Sequence, residues 1–155
     1  MRITDILQPG CVRVPLLAKT KQEAIYELVD TLAGAGLVNS AEDLKQAVWS
    51  REMTRTTGIG HGIAIPHGKV AGCPKLVMAM GKATAPIDFD SIDRKPVELI
   101  FLLASPVDQT GPHIQALARI SRLLTDEQFR DAMKSATSAE DLFGLIKKHE
   151  ADLPG

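Results

Sequence analysis

Aromatic residues are scarce in this chain. One Trp, one Tyr and four Phe in 155 residues leave little from which to build a base-stacking platform. No sign of charge dominates either: 18 Lys+Arg stand against 19 Asp+Glu, a formal net charge of -1. With no overall field to recruit a polyanion, nucleic acid is excluded as a partner. The two cysteines, Cys11 and Cys73, lie far apart and form no CxxC pair. That usage suits a reducing compartment, where both are expected as small packed hydrophobes, and it disfavours a zinc site built on sulfur. No apolar run approaches the ~18 residues of a membrane span. The opening Met1-Arg2-Ile3-Thr4-Asp5, with Pro9 close behind, has no apolar stretch of signal-peptide length. A cytoplasmic protein with no membrane insertion is expected.

What is present fits an ordinary globule: 45% hydrophobic and 24% charged residues in a length typical of one domain. A single domain over 1–155 is expected, with about two thirds of the unfolded surface buried. The first helix is predicted from Lys21 to about Ala33, with Thr20 and Glu23 as a capping box and Ile25, Leu28, Val29 and Leu32 as its inner stripe. Ser40 caps a second, Ala41 to about Met53. The texture then changes to Thr54-Arg55-Thr56-Thr57-Gly58-Ile59-Gly60-His61-Gly62, which reads as a loop feeding a short strand, Ile63-Ala64-Ile65, closed by Pro66. Two nearly continuous apolar runs, Leu76 to about Ala83 and Val97 to Ala104, read as buried central strands. Three helices follow, about His113–Leu124, Glu127–Lys134 and Ala139–Lys148, the last two with capping boxes at Thr125/Gln128 and Thr137/Glu140. The expected fold is α/β (α+β): one layered domain in which a mixed β-sheet of roughly four to six strands is flanked by helices on both sides.

Three residues stand out against this scaffold. His67 shares the parity of Ile63 and Ile65, at a strand end where Pro66 breaks the ladder, and Gly68 beside it leaves room for something to approach. A lone histidine reads first as a hydrogen-bonded structural one, and the surrounding glycines weaken that reading in favour of a reactive one. His113 opens a helix whose Leu117, Ile120 and Leu124 form the buried stripe, where first-turn N–H groups and the dipole attract an anion; simple packing of the ring is the alternative. Arg51 continues the inward stripe of Leu44 and Val48 near a helix C-terminus, where a snorkelling arginine helped by the dipole is the more ordinary account of a single residue. Together, two inward histidines, an inward arginine and the Thr57, Gly58, Gly60 and Gly68 backbone describe a pocket for a small dianion. An imidazole with an unperturbed pKa near 6.5 is largely neutral at pH 7 and can attack phosphorus.

Other signals are weaker. His61, His67 and His113 could be imagined around a metal, but no HExxH or carboxylate triad accompanies them. The glycine run lacks the Lys-Ser/Thr of a P-loop and precedes a strand. Asp88, Asp90 and Asp93 lack the closing glutamate of a calcium loop, and His149 fits a structural place in a last helical turn.

From Arg51-Glu52 through Thr56-Thr57-Gly58-Ile59-Gly60-His61-Gly62-Ile63-Ala64-Ile65-Pro66-His67-Gly68, the chain resembles the fructose/mannitol-type enzyme IIA domains of the bacterial phosphoenolpyruvate phosphotransferase system. Pro86-Ile87-Asp88-Phe89-Asp90 with Asp93, Pro96-Val97-Glu98-Leu99-Ile100-Phe101, and His113 leading Leu117-Ala118-Arg119-Ile120-Ser121 extend the likeness over about Ile6–Ile146. As one free-standing domain it is most similar to the nitrogen-regulatory members. The resemblance implies a mixed sheet between helical layers and a phosphohistidine relay that needs neither metal nor nucleotide, hence no cofactor. It implies His67 as the phosphorylated nucleophile, His113 as a second active-site histidine on the phosphoryl group, and Arg51 as the nearby arginine. It implies an HPr/NPr-type phosphocarrier as donor, and regulatory target proteins in potassium transport, sensing or nitrogen metabolism. The alternative is a sugar-specific IIA that hands phosphate to a IIB domain. His61 stands where the family often has Asn, and is expected as a solvated loop residue. Docking a carrier calls for an apolar rim, with Ile59 and Ile63 as candidates.

Overall fold

The computed structural model describes residues 1–152. After a short 3₁₀ turn at Ile3–Asp5, the elements run β1 (Leu7–Leu16), α1 (Lys21–Gly34), α2 (Ala41–Thr54), β2 (Gly58–Gly60), β3 (Ile63–Ala64), β4 (His67–Lys69), β5 (Val77–Ile87), β6 (Val97–Ser105), α3 (Thr110–Leu123), α4 (Glu127–Lys134) and α5 (Ala139–Ala151). The mixed sheet has six strands in the order β1-β5-β6-β3-β2, with β4 also paired to β6. β1 lies parallel to β5, β5 antiparallel to β6, and both β3 and β4 parallel to β6. From Leu99 to Ser105 every residue of β6 is buried, on both faces, so helices cover the sheet on both sides. This is the α+β layered fold expected. No helix among the described residues is long and apolar enough to cross a membrane.

Several expectations needed correction. The chain does not start with helices: β1 was not anticipated, because Pro9, Gly10 and Pro15 interrupt it. Those residues are tolerable only because β1 is an edge strand, paired to β5 alone. The loop before Ile63 contains a strand, β2. The last two helix caps fall one residue later than predicted. The Asp126 carboxylate accepts from the N–H groups of both Gln128 and Phe129, and the Ser138 hydroxyl from that of Asp141. Thr20 and Ser40 cap α1 and α2 as the spacing requires. Cys11 and Cys73 are free and buried.

Candidate functional site

β3 runs beside one end of β6, and after Pro66 the chain re-enters the sheet as β4 beside the other end, with His67, Gly68 and Lys69 opposite Leu103, Ala104 and Ser105. His67 is half-buried at the start of β4. Its Nδ1 donates to the Ile65 carbonyl at 2.9 Å, a bond within its own turn that fixes the ring and leaves Nε2 without a protein partner among the described residues. His113 comes from the other side of the chain's topology. α3 starts at Thr110, three residues earlier than predicted, so His113 lies one turn in, buried, with its ring 5.4 Å from that of His67 and inclined at 65°. Its Nδ1 is 2.7 Å from the buried Ser105 hydroxyl at the end of β6.

Both rings are held neutral. Burial is the largest cause for His67, lowering its pKa; the Ile65 hydrogen bond opposes this, Arg51 and Lys69 push the same way as burial, and Glu52 pushes back. His113 falls further, to about 4, through burial first and then the neighbouring His67 and Lys69. A neutral His67 with a free Nε2 is the form that can act as a nucleophile.

A hollow of about 400 Å³ opens over these rings, lined by Ala47, Arg51, His67, Gly68, Lys69, His113 and Leu117. Arg51 enters from the last turn of α2, with one guanidinium N–H on the Arg55 carbonyl at 2.9 Å. Lys69 is a second cation of the site that sequence reading missed. It lies two residues beyond His67 on the same face of β4, a period-two signal that was available, and its Nζ is steadied by the Thr110 hydroxyl at 3.1 Å. A second hollow of about 300 Å³ shares Arg51, His67 and Leu117 and carries the apolar side chains of Ile59, Ile65 and Ile92.

The Thr/Gly segment is employed differently from the expected phosphate cradle. Thr57 gives both its N–H (2.9 Å) and its hydroxyl (2.5 Å) to the buried Glu52 carboxylate, and the Gly58 N–H goes to the Thr56 hydroxyl at 3.0 Å. Glu52 is completed by Lys21 at 3.0 Å. What approaches Gly68 is helix α2: a Cβ there would stand 2.9 Å from Val48 Cγ2 and 3.1 Å from the Val48 nitrogen. Gly60, His61 and Gly62 all have positive φ (98°, 59° and 76°), so this tight connection needs residues that enter the left-handed region, where Asn and His are the commoner non-glycine occupants. His61 is exposed and donates its N–H to Asp93 at 3.1 Å, and it lines neither hollow at His67. Two details differ from expectation, one because α3 starts at Thr110 and the other because Ile63 lies in the buried strand β3. The His113 N–H is taken by the Gln109 carbonyl at 3.1 Å, inside the helix, and Ile63 is fully buried, whereas Ile59 is 41% and Ile92 67% exposed.

Residues 5–149 match the model of the family "Phosphoenolpyruvate-dependent sugar phosphotransferase system, EIIA 2". The chain is 34% identical over 150 residues to the fructose-specific EIIABC component of Bacillus subtilis (strain 168), covering 97% of itself but only 24% of that protein. It is equally 34% identical, over 146 residues, to a nitrogen regulatory protein of Bradyrhizobium diazoefficiens, covering 94% of itself and 95% of that protein. The crystal structure of the nitrogen regulatory protein IIA-Ntr from Neisseria meningitidis superposes with a TM-score of 0.86 at 29% identity, over 93% of this chain and 98% of that one. The fold and these likenesses define a component of the phosphotransferase system. The chain belongs to its EIIA type-2 family, and nitrogen regulatory proteins are among its homologues.

Proposed function

We propose that His67 accepts a phosphoryl group on Nε2 from a histidine-phosphorylated carrier of the HPr/NPr type, and that the charge it gains switches binding to regulatory partner proteins. The observation that carries this reading is the anchoring of His67 Nδ1 on the Ile65 carbonyl at 2.9 Å, with the opposite nitrogen left to a hollow flanked by Arg51, Lys69 and His113. The Nε2 lone pair forms the new P–N bond as the donor's P–N bond breaks, its electron pair returning to the donor ring. The ring proton of His67 stays on Nδ1, donated to the Ile65 carbonyl throughout, so the transfer requires no proton movement. Transfer between two imidazoles is close to balanced, so positioning and charge compensation are the main tasks left to the protein. Arg51 and Lys69 supply the compensating charge. The exposed Ile59 and Ile92, beside Leu117, supply an apolar rim for face-to-face docking of the carrier.

Phosphorylation adds roughly -1.5 to -2 charges at one point on this rim, enough to make or break a protein complex. The near full-length likeness to nitrogen regulatory proteins supports a regulatory output. The equal identity to a fructose-specific EIIABC component supports a second reading, in which phosphate passes on to a IIB domain and then to sugar. Intact mass after incubation with phosphoenolpyruvate, enzyme I and the carrier tests the first step. One acid-labile phosphoryl group is expected on the wild type and none on His67→Ala, and full labelling of that variant would overturn the assignment. Prompt loss of the label to a fructose-type IIB would favour sugar transport over regulation.

A further inference from the structure

The hydrogen bond between Ser105 and His113 carries an inference about which tautomer the second histidine adopts. Ser105 is the last residue of β6, wholly buried and opposite Lys69 of β4, and its carbonyl accepts the Val70 N–H at 3.0 Å. Its hydroxyl has one hydrogen-bond partner among the described residues, His113 Nδ1 at 2.7 Å. Two arrangements fit that distance. If Nδ1 carried the proton and donated to Oγ, the hydroxyl's own proton would be left in a buried place without an acceptor, a loss comparable to a missing hydrogen bond. If the hydroxyl donates to Nδ1, the hydroxyl proton and the Nδ1 lone pair satisfy each other and the ring proton must reside on Nε2. A protonated ring would carry hydrogen on both nitrogens and abolish this choice, but burial first, and then the neighbouring His67 and Lys69, hold the imidazole neutral at pH 7.

We propose that Ser105 is a positioning residue of the phosphoryl-transfer site: by donating to Nδ1 it holds His113 as the Nε2–H tautomer. That nitrogen then offers an N–H to the phosphoryl oxygens carried by His67. The opposite tautomer would face those oxygens with a lone pair and repel them. Because His113 is uncharged, the only attraction it can offer an anion is this one directed N–H, so the tautomer decides whether it helps or hinders. The site thus splits its work between cations at the mouth, Arg51 and Lys69, and one neutral donor at the base. This inference rests on His67 being the acceptor, but its first readout does not.

Nitrogen-15 NMR of the imidazoles at pH 7, on unphosphorylated wild type and Ser105→Ala, reads the tautomer directly. The wild type is expected to show protonated Nε2 and an accepting Nδ1 at His113. In Ser105→Ala the Nδ1 resonance should lose its hydrogen-bonded position and the second tautomer should become populated. A wild-type His113 protonated at Nδ1 overturns the proposal whatever the variant does. Transfer from the phosphorylated carrier is then timed for both proteins, with an expected fall of about two- to tenfold in Ser105→Ala, the range one hydrogen bond spans. Ser105→Cys, which keeps a weak donor, should fall between the two. Unchanged transfer in Ser105→Ala, with a changed tautomer, overturns the role in transfer. A wild type that shows the Nε2–H tautomer yet takes up no phosphoryl group overturns the relay reading and with it that role, while leaving the tautomer assignment standing.

Discussion

Two glutamates, at opposite parts of the molecule, use the same device. Glu52 lies in the last turn of α2 and Glu150 near the end of α5, and they are 2% and 0% exposed. Glu52 accepts the N–H and hydroxyl of Thr57 and pairs with Lys21. Glu150 accepts the N–H groups of Ile3 and Thr4 at 2.5 and 3.1 Å and the Thr4 hydroxyl at 3.3 Å, and pairs with Arg119 at 3.4 Å. Each is thus a helix-borne carboxylate that ties an incoming segment of chain to the body of the protein. Only Glu52 borders a hollow with reactive groups, since Arg51 beside it and the loop it holds both line one at His67. A buried ion pair is therefore no sign of a site by itself. What separates the two regions is a nitrogen on His67 that no group among the described residues occupies.

The comparison breaks most visibly if either carboxylate is removed. Glu52→Ala takes the acceptor from the Thr57 N–H and hydroxyl, and Glu150→Ala takes it from the Ile3 and Thr4 N–H groups, and each should cost about 3–5 kcal/mol in urea unfolding. The stability losses should match, but the functional ones should not. Measured on the folded fraction, phosphoryl uptake should fall in Glu52→Ala, because the Thr57 loop and the α2 end are released, and should be kept in Glu150→Ala. Equal uptake in both variants would mean that Glu52 is as purely structural as Glu150.

A smaller effect distinguishes the histidine pair from both glutamates. His113 has its pKa lowered to about 4 in the folded protein, against ~6.5 when unfolded. Above pH 6.5 the ring is neutral in both states and contributes no pH dependence. As pH falls below that value the unfolded chain binds the proton first, so stability drops until the folded ring also titrates. Between pH 6.5 and 5 this amounts to about 1.5 kcal/mol for His113, and His67, shifted in the same direction, adds to it. Urea midpoints over this window should therefore decline with acid in the wild type and decline less in His113→Gln. Parallel curves would show that burial does not suppress protonation of this ring.

The legibility of the chain divides along similar physical lines. Helices α1 and α2 were readable because their caps and stripes are local, and β5 and β6 because strands buried on both faces are continuous in hydrophobicity. β1 was not, since an edge strand with Pro9 and Pro15 looks like a loop until its partner is known. At the site, His67, His113 and Arg51 were singled out as polar residues on apolar stripes, and the structure brings all three to one hollow. Ser105 left no such trace: a serine closing an apolar run gains meaning only from a helix that returns eight residues later. Thr57 and Gly58 misled because glycine and threonine serve equally to hold an anion and to tie a loop to a carboxylate. Only the Glu52 contacts separate those two uses.

Two glycines differ in the same way, on a smaller scale. Gly68 in β4 has no room for a side chain: a Cβ would press on Val48 Cγ2 and on main-chain atoms of α2, and the main chain cannot rotate aside. Gly144, inside α5, has nothing within 4 Å of the same atom. Gly68→Ala should therefore cost about 1–2 kcal/mol by overpacking and slow phosphoryl uptake, because the helix it displaces carries Arg51. Gly144→Ala should stabilise by about 0.5–1 kcal/mol, as the unfolded chain loses freedom and the helix gains a better former, with uptake unchanged. Thermal unfolding and transfer kinetics on the two variants decide the matter together. If Gly68→Ala lowered stability and left transfer untouched, the contact between α2 and β4 would be packing alone, and the placement of Arg51 would have to come from its bond to the Arg55 carbonyl.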